Sequence, residues 1–227
     1  MSEAPGLAIF DLDYTLTKRG TWGRFVWMNV RFRPHIWIPL LLAAGWTQFQ
    51  YKQGRRPRID VKRSMMRWAM KGRSKSFLTE LAENFAEKEV QSGLRNQARP
   101  ILEQHRVNGD QLMLASAAVD LIVAPIARRL DIPHFVATDM AWDNQDKLKM
   151  EFASRNCYGP EKLVRVRQYL DENPGLKQNN TIITFYSDSH SDLDLFHFCD
   201  VMVAVNPDKR LKKAAQREGF RIDDWDN

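Results

Sequence analysis

The sequence predicts an α/β fold, in which a Rossmann-like core of parallel strands flanked by helices carries an inserted helical segment. Short apolar segments rich in β-branched and aromatic residues alternate with helical segments, as in parallel strands joined by crossovers. Between about residues 17 and 99 this strand signal disappears, and the apolar residues follow helical spacing instead. The predicted strands are residues 7–11, 111–115, 134–137, 181–186 and 201–205.

The predicted helices have local start signals or a helical apolar pattern. Pro160 suits a first helical position, where its missing N–H is not needed, so a helix is expected to begin there. Residues 206–208 cap a second segment that ends at Gly219. In the insertion, residues 61–68 and 74–90 carry apolar side chains at three- and four-residue spacing, which predicts two amphipathic helices.

Size and composition indicate one globular domain with an insertion. The chain has 227 residues, of which 44% are hydrophobic, enough to bury a core. Its two cysteines, Cys157 and Cys199, are too few for a disulfide framework and lack zinc-ligand spacing, which favours a reducing compartment. Residues 1–10 do not have the pattern of a signal peptide, so a cytoplasmic protein is expected.

The chain has a formal charge of +6, and much of the excess lies between residues 55 and 73. A solvated basic face would explain this charge, and so would a surface that meets an anionic substrate or membrane lipid. No nucleic-acid recognition motif accompanies the basic residues, so nucleic acid is not expected as a partner. The sequence carries no signal for an oligomeric state.

Two aspartates, Asp11 and Asp13, follow the first predicted strand. Because side chains alternate along a strand, the two carboxylates share a face only if they lie beyond the strand's end. That position is the carboxyl edge of the sheet, where open α/β sheets bind ligands. Two carboxylates there suit a divalent cation with oxygen ligands, so metal-assisted chemistry is the first hypothesis.

Three later motifs accompany this stretch: residues 112–116 ending in Ser116, Lys162 near a predicted helix start, and residues 183–192 with Asp188 and Asp192. In this order, the four motifs resemble those of the haloacid dehalogenase-like (HAD) superfamily, subfamily IB, in its phosphoserine phosphatase-like branch. The resemblance implies a catalytic core formed by residues 1–17 and 100–227. It also implies that residues 18–99 form a helical cap domain, which closes over the site and excludes water.

The resemblance implies roles for the four aspartates. Asp11 would be the nucleophile that forms an aspartyl-phosphate, and Asp13 would be the general acid and base. Mg²⁺ would be held by the Asp11 carboxylate, the Asp13 backbone carbonyl and Asp188. Asp192 would position metal-bound water or pair with lysine.

The phosphate would be held by the remaining motifs. By resemblance, Ser116 would donate its hydroxyl to a phosphate oxygen, beside the backbone N–H of Ala117. Lys162 would neutralise phosphate charge and keep Asp11 ionised, at a helix N-terminus that also favours anions. Taken singly, Ser116 would be a turn residue and Lys162 a surface lysine; their order with the aspartate motifs favours the functional interpretation.

Two departures from the family pattern concern the substrate. Phosphoserine phosphatases carry a glutamate nine residues after the nucleophile, which binds the substrate ammonium, whereas this chain has Gly20 there. Their Ser-Gly-Gly motif is replaced by Ser116, Ala117 and Ala118. Phosphoserine is therefore not the expected substrate. Tyr14 also stands where the family often has glycine.

The segment 22–51 is rich in tryptophan, and its apolar run 36–44 is interrupted by Pro39. This run is too short to span a bilayer. It would form either the buried core of the cap or a surface that rests on anionic membrane lipid, since tryptophan prefers the membrane interface.

These observations predict a Mg²⁺-dependent phosphomonoester hydrolase acting through an aspartyl-phosphate on a small soluble phosphorylated metabolite other than phosphoserine. A phosphotransferase would use the same intermediate. One alternative is a lipid phosphate phosphatase of the phosphatidylglycerophosphatase type, docked through its cap on the inner face of a membrane. Another is a non-catalytic binding protein that has kept the fold.

Overall fold

A six-stranded sheet forms the centre of the computed structural model, which describes residues 5–178 and 180–227. The strand order is β3-β2-β1-β6-β7-β8, and all of the pairings are parallel. Strands β4 and β5 form a separate antiparallel hairpin. The strands are β1 (Leu7–Phe10), β2 (Gln111–Val119), β3 (His134–Thr138), β4 (Met140–Trp142), β5 (Leu148–Phe152), β6 (Ile183–Ser187), β7 (Val201–Val205) and β8 (Arg221–Asp223).

Helices cover the sheet and form the insertion, which confirms the predicted α/β fold class. The segments predicted as helices correspond to α3, α4, α7 and α9. The helices are α1 (Thr21–Val30), α2 (Pro34–Lys52), α3 (Ile59–Met70), α4 (Lys75–Lys88), α5 (Ala98–Val107), α6 (Asp120–Arg129), α7 (Pro160–Glu172), α8 (Leu193–Phe196) and α9 (Lys209–Glu218).

The five predicted strands are present as β1, β2, β3, β6 and β7, within a few residues of their predicted limits. The sequence did not predict β8 or the β4–β5 hairpin. Strand β8 lies at the sheet edge with its side chains exposed or partly exposed, so it has no apolar pattern to recognise. In the hairpin, most side chains are likewise only partly buried.

Strand β1 lies between β2 and β6 and places the first motif at the middle of the sheet. Its four residues are fully buried. Leu7 is in register with Gln111 of β2 and Ile183 of β6, so the three strands end at the same edge. The backbone N–H of Asp11 donates to the Tyr186 carbonyl at 2.9 Å, which fixes Asp11 beside the end of β6.

Helices α1 to α4 form the insertion, which packs tightly on the core. The chain leaves the core at Thr17 and returns at Leu94, and these two residues pair in an antiparallel bridge. One continuous apolar cluster joins insertion and core. Within it the rings of Phe25 and Phe85 meet edge to face at 5.6 Å between centroids. We propose that this insertion is the cap, whose predicted limits of 18–99 extend a few residues beyond the bridge.

The expectation that the tryptophan-rich segment is a buried core is wrong for much of it. Trp22 is buried, but Trp27 and Trp46 are 52% and 60% exposed. Helix α2 buries only Ile36 and Leu40, because it contacts the insertion along one face only. Among the described residues, no helix is both long and apolar enough to cross a membrane.

Candidate active site

Lys162 lies at the centre of a buried ion-pair network at the carboxyl edge of the sheet. It is in the first turn of α7, and only 2% of it is exposed. Its Nζ donates to Asp11 Oδ1 at 2.9 Å and to Asp192 Oδ2 at 2.7 Å. Ser187 also donates its hydroxyl to Asp192 Oδ2 at 2.7 Å. The structure thus joins the first, third and fourth motifs through one ammonium group.

The network contains more carboxylates than cations. Burial raises the pKa of Asp11 above its usual range, and repulsion from Asp192 and Asp188 adds to this effect, while Lys162 opposes it. Burial also raises the pKa of Asp188. Burial alone would lower the pKa of Lys162, but Asp11 and Asp192 together raise it, so the ammonium stays charged. The site therefore favours an additional positive charge.

Thr15 orients Asp188, which follows strand β6. The Thr15 hydroxyl donates to Asp188 Oδ1 at 3.2 Å and accepts the Asp188 backbone N–H at 3.0 Å. Because Thr15 is completely buried, this pair of hydrogen bonds holds the carboxylate in one orientation. The sequence analysis identified Asp188 but not this positioning contact.

Asp13 lies in the tight turn formed by residues 12–16. Its Oδ1 accepts the backbone N–H of Thr21 at 2.8 Å, at the first residue of α1. This contact fixes the orientation of the Asp13 side chain at the N-terminus of α1. The next residue, Tyr14, adopts left-handed backbone angles with φ of 63°. Arg95 holds the Tyr14 carbonyl with two hydrogen bonds of 2.9 and 2.8 Å.

The second motif lies within strand β2. Ser116 is completely buried, and its oxygen accepts the Ala118 backbone N–H at 3.1 Å. Ala117 lines the cavity that also contains Asp11, whereas Ser116 is not among the lining residues. The predicted contact of Ser116 with phosphate thus stays a prediction.

Lys62, on α3, reaches from the insertion to the second motif. Its Nζ donates to the Ala117 carbonyl and, at 2.7 Å, to Asn156 Oδ1. Thr138 also donates to the Ala117 carbonyl, at 3.0 Å. Burial lowers the pKa of Lys62 to about 8, and the nearby Asp13 opposes that shift. The sequence analysis did not single out Lys62, because it is one cation in a strongly basic segment.

Arg58 precedes α3 by one residue and also faces the site. Its guanidinium lies over the Tyr158 ring, 4.1 Å from the centroid. Both residues line the cavity that contains Asp11 and also a neighbouring cavity of about 630 Å³. Arg58 and Lys62 are four residues apart, the spacing of one helical face, and this was the only sequence signal that could have pointed to both.

One cavity of about 240 Å³ brings most of the predicted site residues together. It is lined by Asp11, Asp13, Tyr14, Arg58, Ala117, Tyr158, Lys162, Asp188, Ser189, Ser191 and Asp192. The first, third and fourth motifs, together with Ala117 directly after the second, therefore converge at the carboxyl edge of the sheet. The chemical roles of these residues stay predictions.

The residues present fit a magnesium ion by their chemistry. The proposed ligands are the carboxylates of Asp11 and Asp188 and the backbone carbonyl of Asp13, all of them oxygen donors. No group of three or more His, Cys, Asp or Glu side chains suited to a metal occurs in residues 5–178 or 180–227. The proposed set needs only two side chains, because Mg²⁺ keeps several of its waters.

Sequence comparison relates this chain to phosphatases. The profile of the haloacid dehalogenase-like hydrolases matches residues 8–197. Histidinol-phosphatase of Neisseria meningitidis is 23% identical, over 95% of this chain and 97% of the relative. Phosphoserine phosphatase SerB1 of Mycobacterium tuberculosis is 26% identical, over 96% of this chain and 70% of the relative.

Solved structures show the same fold. A protein of unknown function from Bordetella pertussis Tohama I superposes with a TM-score of 0.78 and 24% identity, covering 96% of this chain and 98% of the other. A phospho-aspartyl intermediate analogue of phosphoserine phosphatase superposes with a TM-score of 0.64 and 14% identity, covering 99% of this chain and 95% of the other. The sequence comparisons confirm the predicted family and enzyme class, and the solved structures show the same fold. The chain belongs to the haloacid dehalogenase-like hydrolase family, as one of its phosphatases.

Proposed function

We propose that this protein is a Mg²⁺-dependent phosphomonoester hydrolase that works through an aspartyl-phosphate on Asp11. The observation that carries the proposal is the contact of Lys162 with both Asp11 and Asp192, in a cavity that also contains Asp13 and Asp188. Lys162 lowers the pKa of Asp11 against the effect of burial, and so favours the anionic form that a nucleophile needs. The same ammonium partly neutralises an arriving phosphate.

The two half-reactions use different groups. In the first, an Asp11 carboxylate oxygen bonds to phosphorus while the ester P–O bond breaks, and Asp13 gives its proton to the leaving oxygen. In the second, the Asp13 carboxylate removes a proton from water as the water oxygen attacks phosphorus. The acyl-phosphate P–O bond then breaks, which releases inorganic phosphate and regenerates the Asp11 carboxylate.

The other residues bind and orient the phosphate. When bound, Mg²⁺ would offset the negative charge of nucleophile and phosphate, so that the two anions can approach each other. Thr15 holds Asp188 in position, and Lys162 supplies a buried positive charge. We propose that the Ser116 hydroxyl and the Ala117 backbone N–H, both within β2, donate to phosphate oxygens.

For the substrate, we propose a small phosphorylated metabolite other than phosphoserine. A Cβ added at Gly20 would lie 3.3 Å from the Tyr14 ring, so Tyr14 lies where a side chain at position 20 would begin. The insertion contributes Arg58 to the cavity, and no carboxylate of the insertion lines it among the described residues. Arg58, on the insertion side of the cavity, suits a neutral or anionic leaving group better than an ammonium, whereas the carboxylates that attract a cation all belong to the core. By the same reasoning, histidinol phosphate is disfavoured.

The experiment that tests this function is Mg²⁺-dependent phosphate release by the wild type and by Asp11→Asn. We expect turnover of at least one soluble phosphomonoester by the wild type and none by the variant, with unchanged circular dichroism. Asp194→Asn makes the same chemical change at an exposed position on α8 and should leave turnover intact. Wild-type rates in Asp11→Asn would contradict the mechanism.

A lipid phosphate is the second candidate substrate, and the exposed apolar side chains of α2 favour it. The substrate panel should therefore include phosphatidylglycerophosphate and lysophosphatidate in mixed micelles, beside phosphoserine, histidinol phosphate and sugar phosphates. Preference for a lipid would support an enzyme that works at the inner face of a membrane. Binding without turnover of any substrate would support the non-catalytic alternative.

A further inference from the structure

Helix α2 carries a stripe of exposed apolar side chains along one face. Their spacing of three or four residues places them on the same side of the helix. Their exposed fractions run from 49% to 71%, which is unusual for so many large apolar residues in one helix. The stripe, called here the exposed α2 face, consists of Ile38, Leu41, Leu42, Trp46 and Phe49.

The opposite side of α2 is firmly packed, so the exposure is a property of the folded insertion. Ile36 and Leu40 are buried. The Trp37 indole N–H donates to the Val30 carbonyl at 3.0 Å, which attaches α2 to α1. The hydroxyls of Thr47 and Ser64 lie 2.9 Å apart, which attaches α2 to α3. The exposed α2 face therefore points away from the helices that hold α2.

The positive charge of the protein is concentrated in the segment that carries this face. Residues 21–73 contain twelve Lys and Arg residues but a single acidic one, Asp60, which gives this segment a net charge of +11. The rest of the chain carries −5, since the total is +6. Exposed basic residues stand at both ends of α2, with Arg31 before it and Lys52, Arg55 and Arg56 at its end and beyond.

We propose that the exposed α2 face docks on the surface of a membrane that contains anionic lipids. Apolar side chains enter the boundary between headgroups and acyl chains, and basic residues beside them meet anionic headgroups. Trp46 fits this arrangement, because tryptophan prefers the interface. Phe32, 83% exposed in the turn between α1 and α2, extends the apolar surface.

A second copy of this chain is a poorer occupant of the same face. Pairing two such faces would bring two segments of charge +11 together, and like charges that close repel each other. A negatively charged bilayer has the complementary charge instead. The inference does not depend on the proposed hydrolysis, because vesicle binding is measured without substrate.

The test is co-sedimentation of the full chain with phosphatidylcholine vesicles, with or without 30% phosphatidylglycerol. Three proteins are compared: wild type, Leu41→Asp and Val164→Asp. Leu41 and Val164 are both well exposed, at 70% and 55%, so neither change disturbs a core. Val164 lies on α7, away from the insertion, and its variant controls for the added negative charge.

We expect the wild type to bind the anionic vesicles at least ten-fold more tightly than pure phosphatidylcholine, and less tightly as salt is raised. Leu41→Asp should bind the anionic vesicles at least ten-fold more weakly than the wild type, and Val164→Asp should bind them within two-fold of it. The tryptophan emission of the protein should also shift to shorter wavelength on binding, because Trp46 would leave water for the interface.

Three results would overturn the proposal. One is the absence of wild-type binding to anionic vesicles, and another is an equal loss of binding in Leu41→Asp and Val164→Asp. The third is a wild-type dimer, detected by light scattering, that Leu41→Asp converts to a monomer while vesicles bind neither protein. That result would assign the exposed α2 face to a second copy of the chain.

Discussion

Replacing Lys62 by methionine should stabilise the protein at pH 7. Burial lowers the pKa of this lysine from 10.5 to about 8. A shift of this size means that holding the charged ammonium in the folded protein costs about 3 kcal/mol. Two hydrogen bonds, to the Ala117 carbonyl and to Asn156, offset about 1 kcal/mol each. The variant should therefore be about 1 kcal/mol more stable at pH 7.

The sign of this difference should reverse at high pH. Between pH 8 and pH 10.5 the folded state binds fewer protons at Lys62 than the unfolded state does. The free energy of unfolding of the wild type therefore gains a contribution that rises with pH, and the methionine variant lacks it. At pH 10 most of the roughly 3 kcal/mol penalty is gone while the hydrogen bonds remain. The variant should then be the less stable protein by about 1 kcal/mol.

The assay is urea unfolding at 25 °C, followed by circular dichroism at pH 7 and pH 10. Lys88→Met is the matched control, because Lys88 is exposed on α4 and its removal changes no buried charge. Thr138 keeps a hydrogen bond to the Ala117 carbonyl in the Lys62 variant, so this acceptor is not left unpaired. A stability difference for Lys62→Met that is equal at the two pH values would refute the reasoning.

Three further changes test the core of the site. Lys162→Met leaves Asp11 and Asp192 buried without their cation and should lower the free energy of unfolding, measured by urea titration, by about 3 to 5 kcal/mol. A variant as stable as the wild type would contradict the ion-pair network. Thr15→Val frees Asp188 and should raise the Mg²⁺ concentration for half-maximal phosphate release roughly ten-fold. An unchanged Mg²⁺ dependence would show that the Thr15 hydroxyl does not position a metal ligand. Tyr14→Gly relieves the strain of the left-handed backbone at this position and should stabilise the protein by about 1 kcal/mol. A loss of stability would show that the contacts of the tyrosine ring outweigh this strain.

The sequence could predict the core part of the site, because parallel strands place their carboxyl ends at one edge. Asp11 follows β1 and Asp188 follows β6, and the adjacency of these strands brings both carboxylates into one cavity. Each residue could be placed from its own strand and motif. Lys162 was predicted in a different way, from the resemblance to the family and from Pro160 as a helix start.

The contribution of the insertion could not be predicted in this way. Arg58 and Lys62 reach the site only because α3 packs over the sheet edge, an arrangement set by contacts far apart in sequence. Likewise, an apolar segment such as 36–49 has the same composition whether it is covered by protein or left exposed. The structure shows that α2 has one packed side and one open side.

Lys62 and the exposed α2 face are two places where this chain departs from what stability alone favours. A desolvated ammonium and a row of uncovered apolar side chains are both unfavourable in water. Departures of this kind are expected at functional sites, where local rules are broken for a purpose. Both involve α3, since Lys62 reaches from it toward Ala117 while Ser64 contacts Thr47 of α2. One helix of the insertion therefore connects the candidate active site with the surface proposed to dock on a membrane.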